Sequence, residues 1–112
     1  MKAVIYAGDT FITGDDIADA VLVYARALAA SGTAATIDIP IYHPEKGLSE
    51  VSLLIGPASQ IAAEPVDIAT AEIRDEALVT QIHDDARATE APRAMIDDDD
   101  PRPTASFFDD TA

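Results

Sequence analysis

Residues 35–42, Ala-Thr-Ile-Asp-Ile-Pro-Ile-Tyr, alternate between apolar and polar positions. Ile37, Ile39 and Ile41 point one way, and Thr36, Asp38, Pro40 and Tyr42 point the other. A period of two is the signature of a strand with one buried face. Pro40 brings no N–H to a ladder, so the strand is expected at an edge or with a local irregularity. Residues 50–55 repeat the alternation, with Val51, Leu53 and Ile55 inward. Between them, His43-Pro44-Glu45-Lys46-Gly47 sets an early φ with proline and accepts a late positive φ with glycine, which predicts a β-hairpin. Gly56-Pro57-Ala58-Ser59 breaks the run, and residues 60–66 are expected to return as a short third strand of the meander, with Pro65 favouring an edge. At the start of the chain, Lys2-Ala3-Val4-Ile5-Tyr6 reads as another strand.

A different period follows it. Ile17, Val21, Tyr24 and Leu28 fall on one stripe with Ala20 and Ala27 beside them, while Asp15, Asp19 and Arg26 lie opposite. The spacing predicts a helix over 14–31, with Thr13 as N-cap, Asp16 in the capping-box position and Gly32 as a left-handed stop. A second helix is expected over 74–89, with Ile73, Ala77, Leu78, Ile82 and Ala86 as a thin apolar side. So thin a stripe suggests loose packing, or order gained only against a partner. From Ala91 onward, proline, aspartate and small residues replace any periodicity, as in Asp97-Asp98-Asp99-Asp100-Pro101. This composition predicts a disordered acidic tail.

The predicted order is β-α-β-β-β-α, then tail: an α+β fold with a two-layer β-α-β-β-β core and a second C-terminal helix. Residues 1–90 form the domain and 91–112 the tail. If the first strand pairs parallel with the second, the helix between them makes a right-handed crossover. The hairpin isoleucines then meet Ile17, Val21, Tyr24 and Leu28, and the opposite sheet face shows Thr36, Asp38, Tyr42, Glu50 and Ser52 to water.

Charge narrows the functional classes. The 112 residues carry a net charge of −14. Residues 1–66 hold eight acids against three bases, and residues 67–112 hold thirteen against four. No basic patch is available, which argues against direct binding to nucleic acid or to an anionic membrane. The chain has no cysteine, so disulfides, thiolate chemistry and cysteine-based zinc sites are excluded. No apolar stretch approaches the roughly 20 residues of a membrane span, and the first residues do not read as a signal peptide. A cytoplasmic protein is expected.

Several segments invite a chemical reading. Ala7-Gly8-Asp9-Thr10-Phe11-Ile12-Thr13-Gly14-Asp15-Asp16 lies between a strand and a helix, where a phosphate loop would lie. It offers no Lys or Arg, it carries three aspartates, and it matches neither Gly-Lys-Ser/Thr nor G-x-G-x-x-G. The aspartates are better explained as anions serving the helix start. Asp9, Asp15 and Asp19 are candidates for weak divalent-cation association, but they lack an EF-hand pattern. His43 and His83 have no i, i+4 relation. Ser59 lacks the G-x-S-x-G context of a nucleophile elbow. No catalytic, cofactor or metal residue is assigned, and no cofactor is expected.

The candidate partner contacts are Leu22 on the polar side of the first helix, Leu54 on the polar side of the hairpin, and Phe107 with Phe108 in the acidic tail. Paired aromatics in an acidic segment suit docking into a basic-rimmed apolar groove. The leading expectation is a small non-enzymatic adaptor or accessory protein that contacts an unknown protein partner through the second helix and tail. An acidic mimic of nucleic acid that fills the basic groove of a DNA- or RNA-binding protein is the alternative. A small-molecule enzyme is the third. Homo-oligomerisation through an open sheet edge is left undecided by the sequence.

Overall fold

A computed structural model describes residues 1–90. Five strands and two helices follow in the order β1 (Lys2–Tyr6), β2 (Asp9–Thr13), α1 (Asp15–Ser31), β3 (Ala35–His43), β4 (Gly47–Ile55), β5 (Ile61–Pro65) and α2 (Glu76–Glu90). The fold is α+β, with one antiparallel sheet in the strand order β4-β3-β2-β1-β5. The expected tail lies outside the described residues.

The main departure from the sequence reading is β2. The segment treated as a loop before the helix contains a strand, and Asp9–Thr13 pairs antiparallel with β1 from Tyr6↔Asp9 to Lys2↔Thr13. Only Ala7 and Gly8 separate the two strands, both at positive φ, 54° and 84°. Positive φ at both central residues is the requirement of a two-residue turn whose twist matches the flanking strands. Because this turn reverses the chain at once, β2 occupies the place beside β1. The expected parallel pairing of the first strand with residues 35–42 does not occur, and α1 instead links the antiparallel neighbours β2 and β3.

The β3–β4 hairpin follows its sequence pattern, with an unbroken register from Ala35↔Ile55 to His43↔Gly47. β3 is an interior strand, so Pro40 does not mark an edge. It does mark an irregularity, since the β2–β3 register is carried by Ile12↔Tyr42 alone. There the hydroxyl of Thr13, fully buried, donates to the Pro40 carbonyl at 2.7 Å and adds a side-chain bond between β2 and β3. Thr13 is therefore the end of β2, with its side chain inside. The N-cap of α1 is Gly14, without any side-chain cap, so the expected Thr13–Asp16 capping box is absent.

β5 forms where residues 60–66 were expected, but it pairs with β1 rather than β4 (Tyr6↔Ile61 to Lys2↔Pro65). The turn at 56–59 carries the chain across the end of the sheet. The Gly56 N–H donates to Ser59 Oγ at 2.9 Å and the Ser59 N–H donates to the Gly56 carbonyl at 3.1 Å. The Tyr6 hydroxyl bonds both the Leu54 carbonyl and Ser59 Oγ, tying β1 to the end of β4.

The core joins the isoleucines of β3 and the inward residues of β4 to Ile17, Val21, Tyr24 and Leu28 of α1. α2 belongs to the same core. Ile82 and Ala86 are buried, Leu78 and Val79 pack against the cluster, and α2 lies along α1. The expectation of a loosely attached second helix is thereby corrected. Ala18, Ala20, Ala25 and Ala27 are all buried on α1. Such small side chains widen its apolar surface beyond one stripe and allow a second helix to approach. Gly32, at φ 67°, ends α1 as expected.

Two substitutions test the backbone reading. A non-glycine residue in the left-handed region costs roughly 1–2 kcal/mol, and asparagine tolerates that region better than alanine. Ala7→Asn should raise the urea midpoint, by up to about 1 kcal/mol of stability; a lowered midpoint would contradict the turn assignment. At Gly14 a Cβ would stand 1.8 Å from the Ile73 carbonyl oxygen. Gly14→Ala should therefore cost about 1–3 kcal/mol by overpacking, measured by thermal melting, although φ at this position suits any residue.

Candidate interaction surface

The start of α1 presents free N–H donors at the corner where a phosphate was considered. Gly14 has no side chain to satisfy them, and Glu72, distant in sequence, does so instead. Its Oε2 accepts from the Asp15 N–H at 2.6 Å. Its Oε1 accepts from the Met1 ammonium at 2.8 Å, and the ammonium also meets Asp15 at 3.1 Å. Beside this cluster Lys2 Nζ pairs with Asp19 at 2.6 Å. The helix start is thus filled by the chain's own carboxylate, and Asp15 and Asp19 each face a cation of the chain itself.

These contacts shift the titration of the groups concerned. The ammonium bond, then the Asp15 N–H, holds the Glu72 carboxyl below its usual range. Hydrogen bonds from Met1 to Glu72 and Asp15 raise the ammonium above its ordinary value, and the Asp19 bond does the same for Lys2.

The other residues singled out by chemistry have local roles. His43 Nδ1 accepts the N–H groups of Glu45 and Lys46 at 3.1 and 3.3 Å, which closes the hairpin turn. His83 lies on α2, but Asp84 pairs with Arg87 and Asp85 accepts from Gln81 at 2.9 Å, so both neighbouring acids are engaged elsewhere. Ser59 belongs to the turn described above. Among the described residues no three His, Asp or Glu side chains are grouped to hold a metal ion, and no helix is long and apolar enough to cross a membrane.

The partner-contact residues fare differently from one another. Leu22 is half-buried and lines a shallow groove with Arg26, Ser59 and Ile61, between α1 and the chain leading into β5. Leu54 is 63% exposed on the outer face of β4. Phe107 and Phe108 lie outside the described residues. Sequence reasoning missed Leu48, which is 73% exposed and stands on the same outer face of the same strand. Strand β4 begins at Gly47, three residues earlier than expected, and the alternation from Leu48 to Leu54 was the available signal.

Register connects Leu48 to a wider apolar row. It lies opposite Tyr42, which is opposite Ile12, which is opposite Ala3. Residues of the connection into α2, Thr70 to Arg74, line a groove with Met1, Tyr42 and Leu48. That connection approaches the inner end of the row and leaves Leu48 in solvent. The outer face around Leu54 shows Thr36, Asp38, Glu50 and Ser52, all exposed as expected, with Ser52 donating to Asp38.

Comparison with protein-family models, curated proteins and solved structures finds no match for the chain.

The Glu72 cluster makes a pH-dependent prediction. A carboxyl depressed in the folded state contributes stability above its unfolded value, near 4.3, and loses it as pH falls through the lower folded value. Glu72→Gln should therefore melt at a lower temperature than the parent at neutral pH. The difference should shrink steadily as pH drops below about 4. An equal difference at all pH values would show that Glu72 acts through packing alone.

Proposed function

We propose that this chain is a small accessory protein that acts by contact with other protein rather than by catalysis. The observation that carries the reading is the pair Leu48 and Leu54, two large apolar side chains 73% and 63% exposed on one face of one strand, in a chain of net charge −14. A single exposed leucine is ordinary. Two on the same strand face, separated by the exposed Glu50 and Ser52 and with Tyr42 and Ile12 adjoining Leu48, give an otherwise polar face two apolar contact points of the kind an interaction site uses.

This places the contact differently from the sequence expectation. The apolar side of α2 packs against α1 and is not offered to a partner. The outer face of the sheet takes its place, and the Phe107–Phe108 segment supplies a second contact of the docking type. The acidic surface favours partners with basic rims and makes association sensitive to salt.

Affinity capture from native lysate tests the reading in the full-length chain. Leu48→Glu/Leu54→Glu and Phe107→Ala/Phe108→Ala should each reduce the recovered partner several-fold, while the far-UV CD melt stays close to that of the parent. Undiminished recovery by both variants would overturn it, as would turnover of a substrate by the purified chain.

A further inference from the structure

The two edges of the sheet differ. β5 is five residues long and ends in Glu64 and Pro65, a short edge of the kind that resists further pairing. β4 is nine residues long, Gly-Leu-Ser-Glu-Val-Ser-Leu-Leu-Ile, with no proline, no lysine and one charge. It is the outermost strand on its side, and β3 is its neighbour in the sheet. A long edge with so little to block it is a template for another strand.

We propose that β4 pairs with β4 of a second copy, antiparallel about a two-fold axis at Val51, so that Leu48 of each copy lies against Leu54 of the other. The proposal rests on the Leu48–Leu54 face of the accessory-protein reading and names a second copy as its occupant; it does not depend on the Phe107–Phe108 segment.

The register follows from the sequence of the strand. Side chains alternate between faces, so a continuous sheet with both copies' helices on one side requires opposed residues of like parity. Centring the pair on Glu50 sets two carboxylates directly opposite, which is destabilising, and sets Leu48 against Ser52. Centring it on Ser52 sets Leu54 against Glu50 and leaves Leu48 beyond the strand. Centring it on Val51 opposes Leu48 to Leu54 twice, Glu50 to Ser52 twice, and Ser49 to Leu53. Only this centre gives both exposed leucines an apolar partner.

Within one copy the two leucines are six residues apart, roughly 20 Å along the strand, so they cannot cover each other. The Tyr6 hydroxyl already donates to the Leu54 carbonyl; a carbonyl oxygen has two lone pairs, so this does not close the strand end. Asp38 and Glu50 of both copies would gather near the axis on the outer face. Pairing is therefore opposed by charge and favoured by salt.

The absence of cysteine makes the test clean. Leu48→Cys and Leu54→Cys are both at exposed positions, so folding should be kept, as checked by far-UV CD. On mild oxidation the mixture of the two variants should form disulfide-linked dimer at least about tenfold faster than either variant alone, because pairing brings only unlike positions together at high effective concentration. In sedimentation equilibrium the parent chain should shift toward dimer as ionic strength rises from about 0.01 M to about 1 M, where the Debye length falls from roughly 30 Å to 3 Å. Leu48→Glu/Leu54→Glu should remain monomeric throughout. A parent that stays monomeric at every salt and concentration overturns the proposal, and so does a single-cysteine variant that cross-links as fast as the mixture. These readouts use purified protein alone, so their failure is separable from failure of partner capture.

Discussion

The reversal of the chain at Ala7-Gly8 decides the rest of the architecture. Two residues with positive φ send the chain straight back along β1. β2 then holds one side of β1, and the first strand cannot pair parallel with β3. The other side of β1 is left for β5, which arrives late in sequence from across the end of the sheet. β3 must join beyond β2, and β4 follows it to the rim. The identity of both edge strands is thus a consequence of one tight turn. Alanine rather than glycine or asparagine stands first in that turn, so the architecture carries a local cost of roughly 1–2 kcal/mol that the two completed strand pairings of β1 exceed.

Elements governed by local periodicity were legible in the sequence. The stripe Ile17, Val21, Tyr24, Leu28 defined α1 to within a residue, and the alternation of Ile37, Ile39, Ile41 with Val51, Leu53, Ile55 defined the hairpin and its buried face. What failed depended on partners distant in the chain. β5 was recognised as a strand, but nothing in residues 60–66 names β1 as its neighbour. β2 was hidden because Ala-Gly is a weaker hairpin signal than Asn-Gly, and because a glycine-bearing stretch before a helix invited a ligand-binding interpretation. The helix cap was out of reach altogether. Glu72 lies 57 residues from Asp15, and a capping box sought within four residues of Thr13 could not reveal it.

That cap also recasts the acidic corner. The expectation that Thr13 caps the helix and Asp9, Asp15 and Asp16 serve its start was right about the sign of the charge and incomplete about its source. Glu72 provides the acceptor, and Met1 provides a cation between two carboxylates. The helix N-terminus attracts negative charge through its unpaired N–H groups and dipole, and this chain supplies that charge itself. Gly14 lets the connection before α2 come close enough, since a side chain there would collide with the Ile73 carbonyl. One contact therefore both caps α1 and anchors the approach to α2, which explains how a helix with a thin apolar stripe becomes part of the core.

This arrangement leaves the two faces of the sheet unequal. Both helices share one core with the inward residues of β3 and β4, so the outer face is left to short polar side chains and a few apolar ones. Leu48 and Leu54 contribute nothing to the buried cluster, in a chain whose net charge of −14 favours a polar surface. Their spacing is even in number, which keeps them on one face, and their midpoint, Val51, is also the middle residue of β4, so an isologous contact centred there uses the whole strand. β4 is long and unblocked at its edge, while the shorter edge of the same sheet ends in Glu64 and Pro65, where extension is hindered. In the proposed pairing charge is the opposing term: it would limit association at low ionic strength without removing the apolar complementarity that would direct it.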